Sequence, residues 1–233
     1  MSEFFFDEQG DRRMEQQNRE HWKALAELIA QAIRQDRLPH TLDVLDIGCH
    51  AGGLLLQLFE RLRANNKHEI ARVAGVEPIA DVRRRAAECF GEAQFFPTLQ
   101  DVPDQYAHLV VSHESLYLVP DLAEWVRQLK RVLRPKGRAF IALGCHGENT
   151  AWLRWRVPLV KLYGHHSYVH HPMEILQAGA DAGFAMELHR LYPQPKQSMR
   201  YSPPEDGWGE FISAQEMLEH ARQKYVFVFS LRE

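Results

Sequence analysis

The run Val44-Leu45-Asp46-Ile47-Gly48-Cys49-His50-Ala51-Gly52-Gly53 constrains this chain more than any other stretch. Four residues suited to a buried strand lead into a glycine-containing turn, and the leucine-rich segment from Leu54 to Leu62 then reads as a helix. The same alternation repeats downstream. Arg72 to Val76 reads as a strand, and Ala80 to Phe90 as a helix with Arg83, Arg84 and Arg85 on its wet side. Gln94 to Phe96 and Leu109 to Val111 are short strands, and Leu122 to Leu133 is a helix. Arg138 to Leu143 is another strand after the turn Pro135-Lys136-Gly137. Strands alternating with helices predict a parallel sheet covered on both faces. Ahead of this unit, residues 11–36 place Trp22, Leu25, Ala26, Ile29 and Ile33 at helical spacing, and Leu38-Pro39 ends that helix.

The C-terminal third departs from strict alternation. Glu174 to Ala182 reads as a helix stopped by Gly183, Ala185 to Tyr192 as a strand, and Ser213 to Arg222 as a short helix. Tyr225 to Leu231 reads as a final strong strand. Residues 144–171 and 193–212 complete no strand–helix unit and are read as insertions. With no internal repeat and no low-complexity linker, residues 1–233 are expected to form a single domain. It comprises a helical arm (1–39), a ligand-binding core (40–145) and a C-terminal part with the insertions (146–233).

Composition excludes several classes. Lys and Arg number 28 against 31 Asp and Glu, a formal charge of -3, without the basic excess of a general nucleic-acid or anionic-membrane binder. Cys49, Cys89 and Cys145 lie far apart, so reduced thiols are expected and no dithiol or cysteine metal site. The N-terminus has no basic region and no long apolar run, which predicts a cytoplasmic protein with no membrane association. Phe4-Phe5-Phe6 fits a lid over the site, a hydrophobic anchor or a tail. Nothing in the sequence sets an oligomeric state.

Glycines at a strand-to-helix turn let a ligand approach the backbone, and the helix N-terminus favours an anionic group. Asp46 stands two residues before the first of these glycines, and Glu77-Pro78 ends the second strand. A carboxylate in that second place is positioned to accept ribose hydroxyl protons. Taken with Leu109 to Pro120 and Leu129 to Gly137, these segments resemble the S-adenosylmethionine-dependent methyltransferases with a Rossmann-like fold. The resemblance runs from about residue 40 to 145, and more loosely to the end. It implies a doubly wound α/β sheet of seven mostly parallel strands, the last one antiparallel, with an N-terminal helix and substrate-covering insertions. It also implies S-adenosyl-L-methionine as cofactor. Asp46 and the terminal strand both favour that donor over a nicotinamide dinucleotide.

Carried over position by position, the resemblance implies that Asp46 orients the methionine amino end. Gly48 and Gly52 admit the backbone to the cofactor, with Cys49 and His50 in the same turn. Glu77 holds the ribose, Pro78 and Ile79 lie against the adenine, Thr98 and Leu99 reach its edge, and Ser112 and His113 lie near the transferring methyl. Thr98 departs from the family's usual Asp. His50 stands where the family usually has its middle glycine; its ring either turns aside from the cofactor, bonds the cofactor carboxylate, or alters cofactor binding.

For the acceptor, His146 directly after the fifth strand is the first candidate base and His113 the second. His146, His165, His166, His170 and His171 fall between residues 144 and 171, beside Trp152, Trp155, Tyr163 and Tyr168; Tyr201, Trp208 and Phe211 fall in the second insertion. The pair His166 and His170 has metal-ligand spacing, but no Cys or well-spaced acid completes a set, so no metal is expected. The expected activity is methyl transfer to oxygen or nitrogen of a small molecule. An RNA or protein acceptor, or a cofactor-binding protein without methyl transfer, are the alternatives.

Overall fold

The computed structural model describes residues 8–35, 38–64, 68–163, 166–191 and 210–232. Seven strands make one sheet: β1 (Thr41–Ile47), β2 (Glu69–Val76), β3 (Gln94–Phe96), β4 (Ala107–His113), β5 (Leu133–Leu143), β6 (Phe184–Arg190) and β7 (Tyr225–Leu231). Around it lie α1 (Glu8–Gln35), α2 (Gly53–Ala64), α3 (Ala80–Phe90), α4 (Leu122–Val132), α5 (Thr150–Tyr163), α6 (Pro172–Asp181) and α7 (Ala214–Arg222). The strand order is β3-β2-β1-β4-β5-β7-β6. The pairs from β3 through β5 are parallel, whereas β7 is antiparallel to both β5 and β6. The expected doubly wound sheet with an antiparallel last strand is therefore present.

The period-two alternation explains how one strand serves two cores. On β1, Leu42 and Val44 pack with Leu25, Ile29 and Ile33 of α1 and Leu55 and Leu58 of α2. The intervening Leu45 and Ile47 face the other way, into a cluster with Val126 and Leu129 of α4 and Phe227 and Phe229 of β7. Both sets are buried, so a one-residue slip of β1 would exchange the two faces.

Two elements differ from the sequence expectation. β5 extends back to Leu133, through the predicted turn at Pro135-Lys136-Gly137, where Lys136 takes a positive φ of 65° and the ladder to β4 shifts register. Inside the first expected insertion, α5 is a 14-residue helix. Pro158 within it disguised the helical period. Phe4-Phe5-Phe6, His165, Tyr201 and Trp208 lie outside the described residues.

Strand order reverses between β1 and β4. In open α/β sheets, the carboxyl ends of the strands at such a reversal form the ligand crevice. Asp46, Glu77, Ser112 and His113 all sit at that end, on β1, after β2 and on β4.

Candidate active site

The turn after β1 is held by its neighbours. Gly48 N and Cys49 N both donate to Val76 O, and Gly52 N donates to Cys49 O. Gly48 and Gly52 have φ of 76° and 87°, the left-handed region that favours glycine. A Cβ on Gly48 would come within 2.5 Å of Ser115 Cβ, and one on Gly52 within 2.2 Å of the Phe90 ring. The structure thus adds a packing reason to the cofactor-approach reason for these two glycines.

His50 also has a positive φ, 48°, so the backbone keeps the shape that a glycine would give. Its ring turns to α1, with Nδ1 3.4 Å from Asp11 Oδ1. Asp11 meanwhile accepts two bonds from Arg85 of α3, at 2.5 and 3.0 Å. One carboxylate of α1 therefore ties together the glycine turn and α3.

Asp46 is 1% exposed, and neither of its carboxyl oxygens has a hydrogen-bond partner. Burial, reinforced by the nearby Glu77 charge, pushes its pKa up to about 8. Glu77 is buried too, and burial raises its pKa. That rise is opposed by bonds from the backbone: Ile79 N donates to Oε1 at 2.9 Å and His50 N to Oε2 at 3.2 Å. Pro78 is exposed and Ile79 half-buried beside it. Thr98 is exposed, its N and Oγ1 both donating to Asp101, while Leu99 is buried. Cys49 is buried, and burial pushes its thiol well up, which leaves it un-ionised.

Ser112 Oγ donates to Ile47 O at 2.7 Å and lies 2.6 Å from Ser115 Oγ, linking β4 to the end of β1. The next residues form a compact polar group. Glu114 has a positive φ of 54°, and its carboxylate accepts from Gly144 N, Cys145 N and the Lys224 ammonium, the last at 2.7 Å. Burial opposes its ionisation, yet Lys224 and His113 hold its pKa well below the usual carboxylate range. Lys224 Nζ also lies 3.2 Å from His113 Nε2, and Trp22 Nε1 of α1 lies 3.3 Å from His113 Nδ1. Burial, with Lys224 beside it, pushes the His113 pKa well down, so its ring is neutral.

His146 is fully buried and stacks on Tyr225 at 4.9 Å. Its Nδ1 accepts from Glu148 N, which leaves Nε2 as the N–H that donates to Gln223 O at 2.6 Å. Both nitrogens are thereby engaged inside the protein, and no lone pair is left for an acceptor proton. Beyond it, Asn149 Nδ2 donates to Gly144 O, and the Asn149 amide meets His220 Nδ1. Burial takes the His220 pKa down to about 4. Tyr117 and Trp152 pack at 4.8 Å, and Trp155 and Phe211 at 5.0 Å. His170 bonds Val119 O and His171 caps α6. Among the described residues, no group of three His, Cys, Asp or Glu could hold a metal ion.

The structure therefore gathers Asp46, Gly48, Cys49, His50, Gly52, Glu77, Ser112 and His113 at one end of the sheet. Thr98 and Leu99 follow β3 at the same end. Sequence reasoning missed Asp11, Trp22, Glu114, Lys224, Asn149 and His220 as members of this neighbourhood. Asp11 and Trp22 lie inside α1 and the others near strand ends or on α7, and the pairings that join these elements span 30 to 111 residues of chain.

The residues fit S-adenosylmethionine. A buried carboxyl with two unpartnered oxygens is completed by a cationic amine, and a second carboxylate at the end of β2 is placed for hydroxyl groups. No described helix is long and apolar enough to cross a membrane.

Residues 13–189 match the family of methyltransferase domains. A 104-residue stretch is 36% identical to a ubiquinone biosynthesis O-methyltransferase of Aeromonas salmonicida, covering 42% of this chain and 42% of that protein. Among solved structures, a Haloferax volcanii putative methyltransferase in complex with the Trm112 methyltransferase activator superposes with a TM-score of 0.74 at 18% identity, covering 99% of this chain and 96% of that one. A geranyl diphosphate C-methyltransferase from Streptomyces coelicolor, solved with S-adenosyl-L-homocysteine, superposes at 0.60 and 18% identity, over 89% and 75% of the two chains. With the family match spanning most of the sheet, the chain belongs to the S-adenosylmethionine-dependent methyltransferases with a Rossmann-like fold.

Proposed function

We propose that this chain transfers a methyl group to oxygen or nitrogen of a small-molecule acceptor, in the cytoplasm. The observation that carries the reading is the unpartnered, buried carboxyl of Asp46 facing Glu77 beside a glycine turn. Such a group is costly unless a ligand completes it. S-adenosylmethionine supplies a methyl group on a positively charged sulfur, which an oxygen or nitrogen lone pair can take.

The chain's own part is to bind and orient. Asp46 holds the amino end, Glu77 the ribose hydroxyls, and Pro78, Ile79 and Leu99 the adenine, with Thr98 at its edge. Gly48, Cys49, His50 and Gly52 form the turn over which the methionine portion lies, flanked by Ser112 and His113. Holding donor and acceptor in attack geometry supplies most of the acceleration in such a displacement. His146 we place as a positioning residue for the start of β7, since its lone pair is already used. The aromatic pairs Tyr117–Trp152 and Trp155–Phe211 supply apolar walls for the acceptor.

An oxygen acceptor is supported by the 36% identical stretch shared with an O-methyltransferase. The balance of charge and the aromatic lining support a small, partly apolar molecule. A second reading, a methyltransferase working with an activator subunit, is favoured by the Haloferax volcanii superposition.

The test is calorimetric titration with S-adenosylmethionine and S-adenosylhomocysteine. Binding is expected in the wild type, weakened at least tenfold in Glu77→Ala, which loses a charged hydrogen-bond acceptor. Absence of binding in both the wild type and His50→Gly overturns the reading.

A further inference from the structure

Thr98 has no freedom in where its hydroxyl proton goes. Asp101 Oδ2 accepts from Thr98 Oγ1 at 2.7 Å and from Thr98 N at 3.0 Å, closing a box around the single turn Leu99–Asp101. A hydroxyl has one proton and two lone pairs. With the proton committed to a carboxylate, the exposed Thr98 presents only the lone pairs of Oγ1 to a ligand.

That turn is held from the end of α4. Arg131, in the last turn of the helix, spreads its guanidinium across it. Nη2 donates to Leu99 O at 2.9 Å and to Gln100 O at 3.4 Å, while Nη1 donates to Val102 O at 2.7 Å and to Asp104 Oδ1 at 2.6 Å. Nε donates to Gln128 Oε1 at 2.7 Å, and Gln128 Nε2 donates in turn to Glu124 Oε1 at 2.9 Å, so the fork is aimed from α4 itself. Asp104 is 75% exposed, and an ion pair there contributes little. The carbonyls are the tether, because charge-assisted bonds from a planar fork to Leu99 O and Val102 O fix the turn's orientation as well as its place. Gln105 N to Arg131 O and Tyr106 N to Val132 O, at 2.9 and 2.8 Å, hold the chain that follows.

We propose that Arg131 is a positioning residue for the purine base of the ligand, holding Thr98 so that its hydroxyl accepts from an exocyclic amino group and rejects a carbonyl in the same place. An amino group offers a proton to the lone pairs of Oγ1. A carbonyl oxygen there would meet them with lone pairs of its own, and both acceptors would go unpaired. The site therefore takes a 6-aminopurine and disfavours a 6-oxopurine. That the base lies against this turn rests on the methyl-transfer reading; the tether to α4 does not.

Two measurements on the whole chain test this. The first is calorimetric titration with S-adenosylhomocysteine and with S-inosylhomocysteine, which carries a 6-oxopurine instead. The wild type is expected to bind the first at least tenfold more tightly, and Arg131→Met and Thr98→Val to bind the two within about twofold of each other. Arg131→Lys, which keeps the charge but cannot reach Leu99 O and Val102 O together, is expected to follow Arg131→Met. A wild type without the preference overturns the proposal. So does an Arg131 variant that weakens both ligands in parallel, because a merely structural role lowers affinity without changing the ratio. Amide exchange of the ligand-free chain tests the tether alone: residues 99–105 of Arg131→Met should exchange at least tenfold faster, while β1 and β4 keep their protection. Unchanged exchange overturns the tether, whereas a wild type that binds neither ligand counts against the methyl-transfer reading and takes the base recognition with it.

Discussion

Asp46 is a buried acid with no hydrogen-bond partner on either carboxyl oxygen. Its carboxyl is raised to about 8 by burial and then by Glu77, so at pH 7 the ligand-free protein keeps it mostly protonated. A cationic amine placed beside it favours the ionised form, and the proton leaves as ligand binds. Affinity for S-adenosylhomocysteine should therefore climb with pH, by up to tenfold per unit, and level off above about 8. Calorimetry at pH 7 in buffers of different ionisation enthalpy should count close to one proton released per ligand, and none for Asp46→Asn. The places of Asp46 and Glu77 were legible because each is fixed by a strand end. The charge state of Asp46 was not, because it depends on the absence of partners within a folded interior. His50 was half legible: its departure from glycine was plain, but its partner Asp11 lies 39 positions earlier on another element.

At the scale of elements, α1 divides into two parts. Its C-terminal half buries Leu25, Ile29, Ala30 and Ile33 against the sheet. Its N-terminal half is held through Asp11, on Arg85 and His50, while Trp22 at the midpoint bonds His113. Asp11→Ala should thus increase amide hydrogen exchange over residues 8–18 by tenfold or more and leave residues 25–33 as protected as before. Equal loosening of both halves in exchange mass spectrometry would contradict this division. The helix itself was readable from its apolar spacing, and so were the strand–helix repeats, because both faces of the sheet demand continuous apolar runs. By contrast, α5 escaped notice because its proline and its mixture of tryptophans and arginines leave no clean period. The polar ties were illegible for a different reason. Glu114 and Lys224 join three strand ends that only the β5–β7 pairing brings together.

Across the whole molecule, buried titrating groups act on stability from two directions. His113, His146 and His220 are all held neutral, chiefly by burial, with His220 down to about 4. The unfolded chain binds protons at these sites below pH 6.5 and the folded one does not. Stability is thus present above pH 6.5 and lost as pH falls toward 4, by roughly 3 kcal/mol for His220 alone. Asp46 acts oppositely: its folded pKa exceeds the ordinary 3.8, so its contribution is lost as pH rises from about 4 through about 8. Thermal unfolding of the ligand-free protein should give its highest Tm near pH 6. His220→Asn should flatten the acidic arm and Asp46→Asn the alkaline one.

The placing of β7 between β5 and β6 bears on how such a sheet can be assembled. β6 is synthesised before β7, yet among the described residues β7 is its only neighbour in the sheet, through seven paired positions from Phe184↔Leu231 to Arg190↔Tyr225. Until β7 emerges, β6 therefore lacks its partner strand, and the apolar surface that Phe227 and Phe229 will close stays open to solvent. Growth of the sheet from β3 to β5 can proceed alongside translation, but the other wing must close later, with the seventh of these strands. The same step brings Lys224 to Glu114, so the polar centre at the acceptor side is completed only when the fold is.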